Sequence, residues 1–299
     1  MPQTMFQQIR GNKIKSIAII SLFIILIGVL GAVIGLIYNN VYFGMIIAII
    51  FALFYSLIAY KSGQNMVLKM TGARPVTKTE YPYLFHTVEG LSLAAGIPTP
   101  KAYVIDDSAL NAFATGRNPE NSVIVVTTGL LKKMSRQELE GVIAHEMSHI
   151  KNYDIRVMLL TAVLVGIAVL LSDFLLRSFL FDAGRRDRKS GNTGLFLIVI
   201  GLVLAILTPI IGELIKLAVN RKREYLADAS GAALTRYPPG LASALEKISK
   251  DPDPLVDNAN KATAHLFIST PFRSRKGFIV NLFRTHPQIE DRIKRLKDM

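Results

Sequence analysis

Two long uncharged runs near the start of the chain constrain its fold more than any other feature of the sequence. Residues 17–38 and residues 41–60 contain no Asp, Glu, Lys or Arg, and a helix that crosses a bilayer needs about 20 mostly apolar residues. Because Asn39 and Asn40 alone separate the runs, we expect two membrane-spanning helices in a tight hairpin. The first run is too long for the apolar core of a signal peptide, so we expect both helices to be retained.

Two later apolar runs, residues 157–172 and residues 194–212, predict a second membrane hairpin. The first of them has only 16 uncharged residues, so a buried or interfacial helix fits it as well. The two runs divide the remaining chain into two soluble pieces. We therefore expect four parts: a tail and membrane hairpin at 1–60, a first soluble half at 61–155, a second membrane hairpin at 156–215 and a second soluble half at 216–299.

Basic residues on the flanks of the first hairpin predict its orientation. Positive charge collects on the cytoplasmic side of membrane helices, and both flanks carry it, at Arg10, Lys13, Lys15, Lys61, Lys69, Arg74 and Lys78. We therefore expect both ends of this hairpin in the cytoplasm. The same rule opposes full insertion of the later runs, because their connection carries Arg177, Arg185, Arg186, Arg188 and Lys189.

Composition excludes several classes of protein. The chain has 51% hydrophobic and 19% charged residues, which is too apolar for an ordinary soluble domain. It has no cysteine, so disulfides and thiolate metal ligands are excluded. A formal net charge of +13 is typical of nucleic-acid binders, but beside apolar runs it indicates basic flanks that face anionic lipid. We expect no nucleic-acid partner.

Local patterns predict helices and strands in the soluble pieces. Thr77 with Glu80 has the spacing of a capping box and predicts a helix over residues 77–95, which Gly96 ends. Ser135 with Glu138 predicts a second such helix. Strands are predicted at residues 102–105 and 122–128, and further helices at residues 221–234 and from about residue 285 to the C-terminus.

Residues 145–149, with the sequence His-Glu-Met-Ser-His, lie on the helix that Ser135 opens. Side chains four residues apart share one face of a helix, so the imidazoles of His145 and His149 can bind one metal ion. Glu146 projects beside them, where its carboxylate can take a proton from a water activated by the metal. Such a short pattern also arises by chance in ordinary helices, but two of the five histidines in the chain are here. The motif predicts a catalytic zinc site.

A catalytic zinc site of this kind needs a third protein ligand. Glu224 is one candidate, with Asp228 on the same helix face, where it can hydrogen-bond a ligand imidazole. A solvated helix face explains this pair equally well, and Glu213 is a rival ligand. Glu224 can meet His149 only if the chain between them crosses the membrane zero times or twice.

These motifs together resemble the HtpX family of membrane metallopeptidases. The likeness rests on residues 145–149, the later apolar runs, Arg-Glu-Tyr-Leu-Ala-Asp at 223–228 and Thr-His-Pro-Gln-Ile-Glu-Asp-Arg-Ile at 285–293, and it covers nearly the whole chain. The family is related to the CAAX prenyl proteases and is of the gluzincin type. The resemblance implies a mainly α, multi-pass membrane protein with a zincin-like α+β catalytic domain. It also implies one Zn²⁺ per subunit, with Glu224 as third ligand and Asp228 behind a ligand histidine.

The resemblance assigns roles to three weaker positions. Asn111 matches a family segment near the substrate, although a loop before a glycine turn is its simpler interpretation. His286 and Arg292 match the C-terminal motif, where such residues hydrogen-bond the tetrahedral intermediate or shape the cleft; the alternative for His286 is a helix N-terminal position. We predict His286 as catalytic, and Asn111 and Arg292 as substrate-binding. Residues 122–128 resemble the edge strand on which zincins align an extended peptide, and an ordinary core strand is the alternative.

We therefore expect a zinc-dependent endopeptidase of a prokaryotic cytoplasmic membrane, with its catalytic domain in the cytoplasm. Its expected substrates are misfolded membrane proteins or unfolded proteins, in quality control or heat stress. The alternative is a processing protease for one membrane-associated or lipidated substrate. A transporter or scaffold with a structural metal would leave residues 145–149 and 223–228 unexplained. The expected partners are protein substrates and the lipid bilayer, and the sequence sets no oligomeric state.

Overall fold

The computed structural model describes residues 5–37, 39–167, 221–251, 266–268 and 287–299. Most of the predicted second membrane hairpin lies outside these residues, as do Glu213 and His286. Predictions about them therefore stay predictions.

Helices dominate the described chain, and a small mixed sheet accompanies them, as predicted. The helices are α1 (Met5–Ile37), α2 (Val41–Met70), α3 (Pro82–Ala95), α4 (Thr128–Lys133), α5 (Arg136–Lys151), α6 (residues 154–167), α7 (Arg221–Thr235), α8 (Pro238–Ser249) and α9 (Ile289–Lys297). The strands are β1 (Arg74–Pro75), β2 (Lys101–Ile105), β3 (Ala112–Asn118) and β4 (Asn121–Thr127).

The predicted N-terminal hairpin is formed by α1 and α2. The two helices pack closely, because a Cβ atom on Gly31 would lie 2.5 Å from the Gly44 carbonyl oxygen. In the turn, the side chain of Asn40 accepts a hydrogen bond from the backbone N–H of Phe43 at 3.1 Å. Both helices are long and apolar enough to cross a membrane.

Large apolar side chains cover an exposed face of α2. Soluble proteins rarely expose a contiguous apolar patch of this size, whereas a membrane helix presents such a face to lipid. The side chains concerned are all more than half exposed: Tyr42, Phe43, Ile46, Ile47, Ile50, Phe51, Leu53, Phe54 and Leu57. The protein is therefore membrane-associated.

The sheet has the strand order β1-β2-β4-β3. In it, β4 pairs in parallel with β2 and antiparallel with β3. The prediction of residues 122–128 as the edge strand is therefore wrong, and the alternative of a core strand is confirmed. Among the described strands, β4 is interior and β3 lies at the edge. The apolar, β-branched sequence of β4 belongs to a strand buried on both faces. The Ala-, Gly- and Asn-containing sequence of β3 has low strand propensity, and pairing with β4 makes it a strand.

Helix α5 begins with the predicted capping box. The Ser135 hydroxyl accepts the N–H of Glu138, and the Glu138 carboxylate accepts the N–H of Ser135 at 2.7 Å. Glu138 also binds α8, by accepting hydrogen bonds from Ser243 at 2.6 Å and Lys247 at 2.7 Å. The start of the helix that carries residues 145–149 is thereby fixed to a second helix.

Two helices begin later than predicted. The helix expected from Thr77 begins at Pro82, because a proline is accommodated in the first turn of a helix but not deeper inside it. The C-terminal helix begins at Ile289, with Gln288 as its N-cap, rather than near Thr285. Its predecessor Pro287 lacks an N–H group and is not helical.

The start of the first later apolar run belongs to helix α6, which packs inside the protein. Helix α6 lies against α2, since a Cβ atom on Gly63 would be 3.3 Å from the side chains of Leu159 and Val163. The Tyr55 hydroxyl donates to the carbonyl of Val163 at 3.4 Å. This contact joins the N-terminal hairpin to the chain that leaves α5.

Candidate metal centre

Three buried side chains that could hold a metal ion converge between α5 and α7. His145 and His149 lie one turn apart on α5, and Glu224 lies in the first turn of α7. The two helices approach closely at a glycine, because a Cβ atom on Gly231 would lie 2.9 Å from the backbone nitrogen of His145. This approach brings the predicted third ligand to the two histidines.

The distances between the donor atoms fit a tetrahedral ion. Nε2 of His145 lies 3.2 Å from Nε2 of His149. The two carboxylate oxygens of Glu224 face different histidines, with Oε2 3.7 Å from Nε2 of His145 and Oε1 3.7 Å from Nε2 of His149. Bonds of about 2.0–2.1 Å at tetrahedral angles separate two ligand atoms by about 3.3–3.4 Å. Two imidazoles and one carboxylate are also a donor set of catalytic zinc sites, which keep one position open.

Asp228 lies on the far side of the His145 ring. The Nδ1 atom of His145 lies 3.0 Å from Oδ1 of Asp228. Arg292 of α9 in turn donates to both oxygens of that carboxylate, from Nε at 2.8 Å and Nη2 at 2.7 Å. The guanidinium is completely enclosed, with 1% of Arg292 exposed. A two-bond ion pair therefore fixes the aspartate that orients His145.

The far side of the His149 ring is held by a residue that the sequence did not point to. Nδ1 of His149 lies 3.0 Å from Oδ2 of Asp154. Between α5 and α6 the chain turns sharply at Tyr153, whose φ of 61° is uncommon for a non-glycine residue. This turn brings Asp154 back onto the histidine. Two donors bind its other oxygen, Nδ2 of Asn12 at 2.7 Å and Nη1 of Arg223 at 3.1 Å.

The electrostatic environment favours a divalent cation. Four carboxyl groups, those of Glu146, Glu224, Asp154 and Asp228, surround the candidate ligand atoms with two guanidinium groups, those of Arg223 and Arg292. Burial lowers the pKa of His149, but the hydrogen bond to Asp154 and the nearby carboxylates outweigh it and raise this pKa to about 9. For Asp228 burial acts in the opposite direction and raises the pKa, but the charges and hydrogen bonds of Arg292 and His145 outweigh burial and lower this pKa. The site therefore holds its aspartates ionised and attracts positive charge.

Glu146 lies between the candidate ligands and the sheet. It is 2% exposed, and burial raises the pKa of its carboxyl. The backbone of Ala114 in β3 interacts with this carboxylate and opposes the rise in its pKa. The edge strand and the predicted general base are thus in direct contact.

The outward-facing main chain of β3 runs past this carboxylate. Thr127 donates its N–H to the carbonyl of Asn111, and pairing alternates along an antiparallel ladder, so Ala112, Ala114 and Gly116 direct their main-chain groups away from β4. The carbonyl of Ala112 accepts the N–H of Ile268 at 2.9 Å. The remaining outward-facing positions begin at Ala114, beside Glu146.

The residues predicted to contact the substrate lie in different surroundings. Asn111 is buried directly before β3, and its side-chain oxygen accepts the N–H of Ala112 at 3.1 Å. Arg292 is inside the centre, where it binds Asp228 and donates to the carbonyl of Ile268 at 3.3 Å. Their substrate contacts stay predictions, as does the catalytic role of His286, which is outside the described residues.

The sequence did not predict a role in this centre for three residues: Asn12, Asp154 and Arg223. An acidic residue shortly after the motif was a usable signal for Asp154, because a ligand imidazole needs an acceptor on its second nitrogen. For Asn12, 140 residues before its backbone partner Asn152, the sequence carried no such signal.

A model described as peptidase family M48 matches residues 78–299 of the chain. The chain belongs to peptidase family M48. A protein named Protease HtpX homolog from Dictyoglomus thermophilum is 50% identical over 298 residues, which cover 100% of this chain and 96% of that protein. A second protein of this name, from Tropheryma whipplei, is 43% identical over 295 residues, which cover 99% and 98%. These relatives confirm the resemblance to the HtpX family, and the M48 member described here is a metallopeptidase.

The fold of this M48 peptidase also resembles a solved structure. It matches the crystal structure of S. mikatae Ste24p with a TM-score of 0.51 and 19% identity, over 91% of this chain and 62% of that one. At this identity the likeness concerns the fold alone. It agrees with a peptidase fold in which helices and a small sheet enclose the candidate metal centre.

Proposed function

We propose that this M48 peptidase is a zinc-dependent endopeptidase that cleaves misfolded membrane proteins or unfolded proteins at the cytoplasmic face of a prokaryotic membrane. The observation that carries the proposal is the convergence of His145, His149 and Glu224 at tetrahedral spacing, next to a buried Glu146. His145 and His149 would hold the ion through Nε2, and Glu224 through its carboxylate. Asp228 and Asp154 would keep both rings in the tautomer that leaves Nε2 free to bind.

The chain supplies the proton transfers of peptide hydrolysis. Zinc, when bound, supplies the Lewis acidity that polarises the scissile carbonyl and makes water acidic. Glu146 takes the proton from the attacking water and delivers it to the nitrogen of the leaving amine. The backbone of Ala114 lies beside this carboxylate, so the proposed base is adjacent to strand β3.

The edge strand β3 supports an extended peptide as substrate. A peptide can add to the open side of an edge strand through main-chain hydrogen bonds, which select for an extended backbone rather than for particular side chains. Because Ile268 already binds the carbonyl of Ala112, such a peptide would pair from Ala114 toward Gly116. An unfolded segment meets this requirement and a folded domain does not.

The N-terminal hairpin supports a site at the membrane surface. Helix α1 has 33 residues, about 50 Å at 1.5 Å per residue, which exceeds a hydrocarbon core of about 30 Å. Its first turns therefore project from the bilayer, and there Asn12 contacts the catalytic part. The basic residues on this side favour the cytoplasm. A topology reporter inserted between Asn39 and Asn40 should report the opposite side of the membrane, and a cytoplasmic signal there would contradict this orientation.

The mechanism is tested by replacing Glu146 with glutamine. We expect Glu146→Gln to bind one zinc ion per chain and to cleave a labelled unfolded protein about 10²–10⁴-fold more slowly than wild type. The matched control is Glu140→Gln, which removes a surface carboxylate from the same helix and should leave cleavage unchanged. Normal cleavage by Glu146→Gln at full zinc content would overturn the mechanism.

A further inference from the structure

Asn12 of the first membrane helix lies in the interior of the catalytic part. Only 3% of it is exposed, although an asparagine just before a membrane span would ordinarily face water. Its amide nitrogen donates twice, to the carbonyl of Asn152 at 2.8 Å and to Oδ1 of Asp154 at 2.7 Å. An amide nitrogen has two hydrogens, so this geometry uses both.

These two acceptors belong to the turn that positions the partner of a candidate metal ligand. Asn152 ends α5, and Asp154 starts α6 after the left-handed residue Tyr153. Asp154 divides its oxygens, because Oδ1 accepts from Asn12 and Arg223 while Oδ2 faces Nδ1 of His149 at 3.0 Å. The donors on Oδ1 therefore set the direction in which Oδ2 meets the histidine.

We propose that Asn12 is a positioning residue of the metal centre, which orients Asp154 and through it His149. Helix α1 is then a part of the metal site as well as of the N-terminal hairpin. This inference rests on the proposed role of His149 as a metal ligand. The alternative is a purely structural role, in which Asn12 only attaches α1 to the catalytic part.

The zinc dissociation constant separates the two roles. It is measured on the full-length protein in detergent micelles, by competition with a chromogenic zinc chelator after removal of bound metal. Asp154→Asn should weaken zinc binding about 10- to 100-fold, as loss of a ligand's hydrogen-bond partner does. Asn12→Ala and the nearly isosteric Asn12→Leu should weaken it about two- to tenfold, since each removes hydrogen bonds one step further away. Either variant that folds serves the test.

A double variant tests whether Asn12 affects zinc binding through Asp154. Asn12→Leu combined with Asp154→Asn should bind zinc no more weakly than Asp154→Asn alone, because coupled residues give non-additive losses. The matched control is Ser16→Ala, which removes a buried hydroxyl one turn along the same helix that donates only to the carbonyl of Asn12. It should leave zinc affinity unchanged.

The inference would be overturned in favour of a purely structural role by one result: Asn12 variants that bind zinc as tightly as wild type, but whose metal-free forms melt at a lower temperature. A fully additive double variant would overturn it as well. A wild-type protein that binds no zinc would instead contradict the proposed metal centre, so the two failures are distinguishable.

Discussion

An aspartate faces Nδ1 of both His145 and His149, but the two aspartates are held in place by different contacts. Each ring places Nδ1 3.0 Å from an aspartate, Asp228 for the first and Asp154 for the second. Asp228 is held by a two-bond ion pair with Arg292 of the C-terminal helix. By contrast, Asp154 is held by single bonds from α7 and from the first membrane helix.

This difference shows how the two ends of the chain complete one centre. The His145 support is enclosed entirely within the catalytic part, so its strength depends on burial and on the forked geometry of arginine. The His149 support is shared between a soluble helix and a membrane helix. We therefore expect the first to dominate stability and the second to connect the centre with the membrane.

The largest effect should follow the loss of charge at Asp228. Asp228→Asn removes the carboxylate that binds Arg292 through two short bonds and leaves only the more distant carboxylate of Glu224, at 3.6 Å. Breaking a buried ion pair in this way costs about 3–5 kcal/mol. Asp154→Asn should cost less stability, because Arg223 is less deeply enclosed, at 12% exposure against 1% for Arg292. Thermal unfolding of the two metal-free variants in detergent measures the difference. Equal losses would remove the asymmetry between the supports.

Lysine substitutions test the geometry of the two arginines at constant charge. Arg292→Lys replaces a forked contact that a lysine cannot reproduce, and zinc affinity should fall about 10- to 100-fold. Arg223→Lys keeps the single contact to Asp154 within reach, and its zinc affinity should fall about twofold or less. Chelator competition gives both values. A larger loss for Arg223→Lys would reverse the proposed order of the supports.

Glu138 lies at the start of α5, away from the candidate metal ligands, and serves as a control position on the same helix. Burial raises its pKa, but hydrogen bonds from Lys247, Ser243 and Ser135 outweigh this and lower the pKa from 4.5 to about 2. The ionised form therefore stabilises the fold above pH 4.5, and this contribution is lost as the pH falls from 4.5 towards 2.

Glu138→Gln should therefore cost about 1–2 kcal/mol at pH 7, an amount discounted for the partly exposed Lys247. The difference from wild type should disappear in acid, and zinc affinity should not change. Melting temperatures across a pH series, together with chelator competition at pH 7, check both statements. Reduced zinc affinity in this variant would mean that any damage to α5 reaches the metal, and the comparison of the two supports would lose its specificity.

The failed predictions have different physical causes. The edge position of β3 depends on which strand lies beside β4, and local propensity does not record strand order. The start of α3 was predicted from the capping-box spacing of Thr77 and Glu80, whereas the backbone restriction imposed by Pro82 decides it. The Ser135 capping box depends only on residues within one helical turn, and that prediction is confirmed.

The sequence by itself determined the elements that depend on neighbouring residues. Helical periodicity places His145, Glu146 and His149 on one turn of α5, and continuous apolar composition determines the N-terminal hairpin. Only the tertiary structure decided that Glu224 faces both histidines. It also decided that Asp228 and Arg292 support His145, whereas Asp154 and Asn12 support His149. These contacts join residues up to 147 positions apart, and they arise from close helix packing at Gly231 and from the turn at Tyr153, which no local pattern specifies.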